Sequence, residues 1–194
     1  EPNGTITDNT ASWDITPTQL YTYRGPLIEE ARTNLLTYSN EFDNADWIKS
    51  DTTVTPNAAT APDGTLTADK LIESATTAIH CLVQSSLITL GDVITGAYYF
   101  KAAENSLAQL TFSTALFGSS QYANFNLATG VVSAEVGGTA TIENKGNGWY
   151  RCAFTATATA TGQGGCLPVL IDSASATRLP SYLGDDTSGI YIWG

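Results

Sequence analysis

Methionine is missing altogether from the 194 residues, and histidine occurs once, as His80. A chain without an initiator methionine is what a processed product or an excised domain would show. One histidine excludes multi-histidine transition-metal sites by count. It could serve at most one Ser-His-Asp or Cys-His centre, and no G-x-S-x-G elbow accompanies it. His80 therefore reads as a surface or rim residue of a sheet. Cysteine is scarce too: Cys81, Cys152 and Cys166 fit no C-x-x-C zinc spacing and read as small buried hydrophobes. Lys and Arg number 8 against 19 Asp and Glu, a net charge of −11. Phosphate backbones need clustered cations, so nucleic acid and anionic membranes are not expected as partners. No apolar run reaches the roughly 18 residues of a membrane span. Phosphate-binding loops are missing as well. Gly162-Gln163-Gly164-Gly165 has neither the Lys nor the strand–loop–helix setting of a P-loop.

Charged residues make up only 14 %, against about 25 % in an average globular domain. Thr, Ser, Gly, Asn and Ala take their place. Thr is β-branched and settles on the open face of a sheet, so the composition favours strands over helices. From Leu35 onward, turn signals recur every 8 to 15 residues, among them Pro62-Asp63-Gly64, Gly137-Gly138 and Gly146-Asn147-Gly148. Between them lie eleven short runs with period-two alternation: 52–55, 66–73, 79–88, 93–102, 108–115, 122–126, 131–135, 140–144, 149–157, 166–171 and 189–193. This predicts an all-β fold, a two-sheet antiparallel β-sandwich of the jelly-roll kind, over residues 34–194. Residues 1–33 read as an irregular N-terminal arm or lead-in, with one short helix after Pro26.

Alternation assigns the faces. Tyr98, Phe100, Leu110, Phe112, Ala123, Phe125, Leu127, Tyr150, Cys152 and Phe154 are expected inside, with Cys81 and Val83. His80 and Gln84 are expected outside. So are Tyr99, Lys101, Gln109, Tyr122, Asn124, Asn126, Trp149 and Arg151. If their strands neighbour one another, these eight share one sheet surface of rings, amides and cations. Sugars are bound by that mixture: rings pack on the C–H face of a pyranose, and amides or guanidinium groups bond vicinal hydroxyls. Tyr122, Trp149 and Tyr99 are the expected stacking platforms. Lys101 and Arg151 suit an acidic glycan such as a uronate polymer. Carboxylates for glycoside hydrolysis or lyase chemistry are plentiful, but Asp43, Asp46, Asp63, Asp172, Asp185 and Asp186 lie in turns, where Asx hydrogen bonds account for them. No catalytic residue is expected.

Several stretches carry a resemblance. They are Asn34-Leu35-Leu36 with Ser39, Phe42, Ala45 and Trp47; Ala61-Pro62-Asp63-Gly64-Thr65 running to Asp69-Lys70-Leu71; Phe125-Asn126-Leu127-Ala128-Thr129-Gly130; Gly146-Asn147-Gly148-Trp149-Tyr150-Arg151-Cys152; and the terminal Gly189-Ile190-Tyr191-Ile192-Trp193-Gly194. Together with the lead-in Arg24–Asn34, the set resembles domains of bacteriophage tail-fibre and tail-associated proteins over residues 24–194. Those domains resemble carbohydrate-binding modules. The resemblance implies a non-catalytic polysaccharide-binding role at a cell-surface glycan, and a virion or extracellular location. The opening Asn34-Leu35-Leu36 with Glu41-Phe42 and Trp47 is also similar to the start of xylan- and glucan-binding modules, which often carry a structural calcium, and Glu41 sits where such modules place one ligand. The alternative left by the phage resemblance is a purely structural tail-fibre module that packs as a homo-oligomer, such as a trimer.

Overall fold

The computed structural model describes residues 33–118 and 120–194. The expected lead-in and its helix after Pro26 lie outside the described residues. Asn34–Gly194 forms one compact unit. Its strands, in chain order, are β1 (Ile48–Ser50), β2 (Thr52–Ala59), β3 (Ala68–Glu73), β4 (Thr77–Ala78), β5 (Cys81–Val83), β6 (Ser86–Ile88), β7 (Val93–Ala102) and β8 (Leu107–Phe112). After a single helical turn, α1 (Thr114–Phe117), come β9 (Tyr122–Asn126), β10 (Val131–Val136), β11 (Thr139–Gly146), β12 (Trp149–Thr157), β13 (Gly162–Gly164), β14 (Cys166–Leu170), β15 (Tyr182–Leu183) and β16 (Gly189–Trp193).

Two six-stranded antiparallel sheets make the sandwich. One runs β1-β5-β14-β8-β9-β10, the other β11-β12-β7-β16-β3-β2. The first is the amide sheet below, after Gln109 and Asn124, and the second is the aromatic sheet. The expected all-β sandwich is what the chain forms. The expected strand 79–88 divides into β5 and β6, and four short strands (β1, β4, β13 and β15) join the eleven expected runs.

Period-two alternation fills the space between the sheets. Tyr98, Phe100, Leu110, Phe112, Ala123, Phe125, Leu127, Cys152 and Phe154 are all in the main core, with Tyr150 packed against it. Phe112 stacks on Phe117 of α1 at 4.4 Å between ring centroids, which plugs one end of the sandwich. β5 has the opposite facing from that expected. Leu82 enters the main core, whereas Cys81 and Val83 join a second cluster with Val169, Ile171 and Ala176. Both faces of this three-residue strand are covered, so the alternation of polar and apolar residue types did not mark the outward one. His80 and Gln84 turn inward with Leu82. His80 is a buried residue rather than a rim residue. Its Nδ1 lies 2.6 Å from the Asp51 carbonyl oxygen and its Nε2 3.2 Å from that of Tyr182.

The sheets approach closely where β7 faces β14. A Cβ built on Gly96 would stand 2.2 Å from both Cβ and Sγ of Cys166. Nearby, the Tyr98 hydroxyl donates to the Cys166 carbonyl at 2.8 Å, which ties the sheets together through the core. Burial pushes the Tyr98 hydroxyl well above its usual range, so the group stays a donor. All three cysteines are buried and unpaired. Desolvation raises each thiol, that of Cys81 to about 11.

Two outcomes follow. Gly96→Ala must push β7 and β14 apart, and overpacking of this kind costs about 1–3 kcal/mol. A chemical denaturation midpoint unchanged by the substitution would contradict the close approach. Thiol reagents at pH 8 should label none of the three cysteines in the native protein and all three once it is unfolded, because the thiolate is the nucleophile and burial suppresses it.

Candidate functional site

The eight residues expected to share one surface divide between the two sheets. Tyr99 and Lys101 are on β7, and Trp149 and Arg151 are on the neighbouring β12. Gln109 is on β8, and Tyr122, Asn124 and Asn126 are on the neighbouring β9. Each neighbour pair forms as expected, but the pairs lie on opposite sides of the sandwich.

On the amide sheet the outer face is closed. Gln109 and Asn124 are wholly buried, and the amide of Gln109 donates to the Asn124 side-chain oxygen at 2.8 Å. Their remaining capacity holds a strap, residues 172–180. Gln109 donates to the Thr177 carbonyl and accepts from the Leu179 N–H. Asn124 donates to the carbonyls of Ala174 and Ala176. Arg178, in the same strap, donates to the Phe112 carbonyl at 2.7 Å. Beneath the strap lie Cys81, Val169 and Ile171, which form the second cluster with the strap's own Ala176. Gln109 and Asn124 thus bind their own chain and are not free for a ligand. Asn126 is engaged as well: its side-chain oxygen accepts from the N–H groups of Ala128 and Thr129, closing the turn between β9 and β10. Tyr122 remains half-buried beside them.

On the aromatic sheet Trp149 points outward as expected but is only 1 % exposed. The segment 60–67 between β2 and β3 folds over it. Its indole N–H donates to the Thr60 carbonyl at 3.0 Å, and Ala61 and Ala68 pack with it. The far end of the segment is held by Trp193, whose indole N–H donates to the Thr67 hydroxyl at 3.1 Å. Asp63 braces the turn inside, accepting from both the N–H and the hydroxyl of Thr65, bonds that hold its carboxyl below the usual carboxylate range. Trp149 is therefore the centre of a small outer core, not a stacking platform.

What stays half-open is the ground around that core. Tyr99, Tyr191 and Trp193 pack against it, and Tyr99 meets Trp193 edge to face at 5.2 Å. The register interleaves these rings with cations. Arg151 pairs with Tyr99, Tyr99 with Trp193 and Lys101 with Tyr191, and Tyr191 with Lys70. The stem of Lys101 crosses Gly148, where a side chain would begin 3.5 Å from its Cε. Lys70 pairs with Glu104 at 2.7 Å. Glu143 pairs with Lys145 at 2.6 Å and with Arg151 at 3.7 Å. These cations hold the Glu104 and Glu143 carboxyls below the usual range. In all three pairs the carboxylate is exposed, and ion pairs open to water contribute little to stability. Lys101 has no carboxylate partner among the described residues.

Tyr191, Trp193 and Lys70 belong to the stretches that carry the resemblance but were not assigned to the binding surface from the sequence. The signal was present in the alternation of 189–193, which sends Tyr191 and Trp193 to the same side as Tyr99 once β16 is known to neighbour β7.

The ground near Glu41 does not suit calcium. Glu41 is exposed. The Lys49 ammonium group takes the backbone oxygens of Asp43 and Asn44. Asp69, buried behind them, spends one carboxylate oxygen on the Phe42 N–H and the other on the Asn57 N–H, each at 2.9 Å. A lysine among the available oxygens supplies the positive charge that a metal would bring. Among the described residues no three His, Cys, Asp or Glu side chains converge.

The chain matches no protein-family model, and no curated protein aligns with it significantly.

Trp149→Ala should cost about 3–5 kcal/mol, the range for truncating a buried aromatic, and lower the melting temperature accordingly. Asn124→Ala should cost about 1–3 kcal/mol by stranding buried strap carbonyls. Melting temperatures equal to that of the parent protein would show that neither cover is held as described.

Proposed function

We propose that the protein is a non-catalytic polysaccharide-binding module of a phage tail or adhesion protein, acting at the virion surface or outside the cell, and that it binds through the outer face of the aromatic sheet. The observation that carries this reading is the interleaving of Tyr99, Tyr191 and Trp193 with Lys70, Lys101 and Arg151 across β12, β7, β16 and β3. Rings that are half-buried and packed edge to face are held in place before a ligand arrives, and each leaves part of its surface for sugar C–H groups. The flanking ammonium and guanidinium groups are donors for hydroxyls. Carbohydrate contact here needs no movement of the chain.

A non-catalytic role accords with the chemistry of the nucleophiles and bases. Both His80 nitrogens face backbone carbonyls, and the cysteine thiols are raised by burial.

A second reading, a structural module that packs against copies of itself, is favoured by a separate observation. Leu87, Leu90 and Val93 are each more than 60 % exposed within seven residues, an apolar edge that a neighbouring subunit would cover.

A glycan array probed with the purified chain tests the first reading. Tyr191→Ala should weaken binding by about tenfold or more, worth roughly 1.4 kcal/mol, whereas Tyr122→Ala on the opposite sheet should leave it unchanged. A stable oligomer by light scattering that is silent on every glycan would favour the structural reading.

A further inference from the structure

We infer that the aromatic-sheet face takes an acidic polysaccharide, one bearing carboxylate or sulfate groups, in preference to a neutral one. This rests on the carbohydrate-binding reading above and narrows it.

The distribution of charge carries the inference. The whole chain has eight Lys and Arg, and two of them, Arg24 and Arg32, precede the described residues. Of the six that remain, Lys49 is spent on backbone carbonyls of Asp43 and Asn44 and Arg178, in the amide-sheet strap, on the Phe112 carbonyl. The other four, Lys70, Lys101, Lys145 and Arg151, all belong to strands of the aromatic sheet. A protein with a net charge of −11 thus gathers most of its described cations on one side. Two acids pair with them there, Glu104 and Glu143, and a third, Asp63, lies in the segment over Trp149 with its carboxylate engaged by Thr65. Lys101 lies between Trp149 and Tyr191 in register, with no acid of its own among the described residues. Arg151 has only a 3.7 Å contact with Glu143, which Lys145 already engages at 2.6 Å. Both cations are therefore open to an incoming anion.

The overall negative charge does not cancel this. At physiological ionic strength the Debye length is about 8 Å. Stacked sheets lie about 10 Å apart, so acids on the far side of the sandwich are screened from a ligand touching the aromatic sheet. The local cations decide the contact. The rings between them distinguish a sugar acid from any other polyanion, because they need a flat C–H surface to pack on.

Affinity electrophoresis or calorimetry with five polymers tests the inference: polygalacturonate, carboxyl-reduced polygalacturonate, dextran sulfate, dextran and polyglutamate. Binding to polygalacturonate or to dextran sulfate is expected at least tenfold tighter than to its uncharged counterpart, and tenfold tighter than to polyglutamate. The pair that shows the difference tells carboxylate from sulfate ester. Lys101→Ala with Arg151→Ala should remove the difference while the melting temperature stays near that of the parent. Equal binding of the charged and neutral forms of each polymer overturns the acidic preference and leaves the carbohydrate reading standing. Polyglutamate bound as tightly as the acidic polymers shows charge alone at work and overturns both. No binding to any of the five overturns the acidic preference, and the glycan array then decides the carbohydrate reading separately.

Discussion

A sandwich of two sheets has four faces, and only two of them meet in the core. The other two must be wetted or covered, and how this chain covers them decides everything that can happen at its surface. One outer face is closed by a strap held through side-chain amides. The other is partly closed by a turn segment held through two indole N–H groups. In both cases a polar side chain emerging from a strand satisfies backbone groups of the covering segment, which would otherwise lose water without compensation. The covers also bury apolar ground, around Val169 on one side and Trp149 on the other. The surface left for recognition is what these two covers do not reach.

Alternation along single strands was readable without coordinates. It placed Tyr98, Phe100, Phe112, Phe125 and Phe154 in the core, and Tyr99, Lys101, Trp149 and Arg151 outside it. Sheet membership was not readable, because it depends on pairing between residues far apart in the chain. β8 follows β7 directly in sequence yet joins the opposite sheet, and this separates Gln109 and Asn124 from Tyr99. Burial from outside was equally hidden. Nothing local to Trp149 announces that Thr60, 89 residues earlier, will cover it. Gln109 and Asn124 carried the same ambiguity, since an amide placed to bond a sugar is equally suited to bond a carbonyl of its own chain. The facing of β5 failed for another reason: His80 and Gln84 make the Leu82 side polar by residue type, yet both are buried, His80 against backbone carbonyls and Gln84 against the Thr37 N–H.

Charge placement was partly visible in composition. The scarcity of Lys and Arg argues against a surface for phosphate backbones. It could not show that the few present would converge, because Lys70, Lys101 and Arg151 are brought together only by the order β12, β7, β16, β3. Lys49 illustrates the opposite case. An ammonium group tucked against the carbonyls of Asp43 and Asn44 helps to hold the turn that leads into β1.

The Thr67 hydroxyl sits between the Trp193 indole and the Thr65 hydroxyl, which in turn reaches Asp63. That relay, with the Trp149 bond at the other end, pins both ends of the segment over the rings. Its conformational freedom is surrendered when the chain folds, not when a partner arrives, so an encounter here would be lock-and-key, with little entropy left to lose.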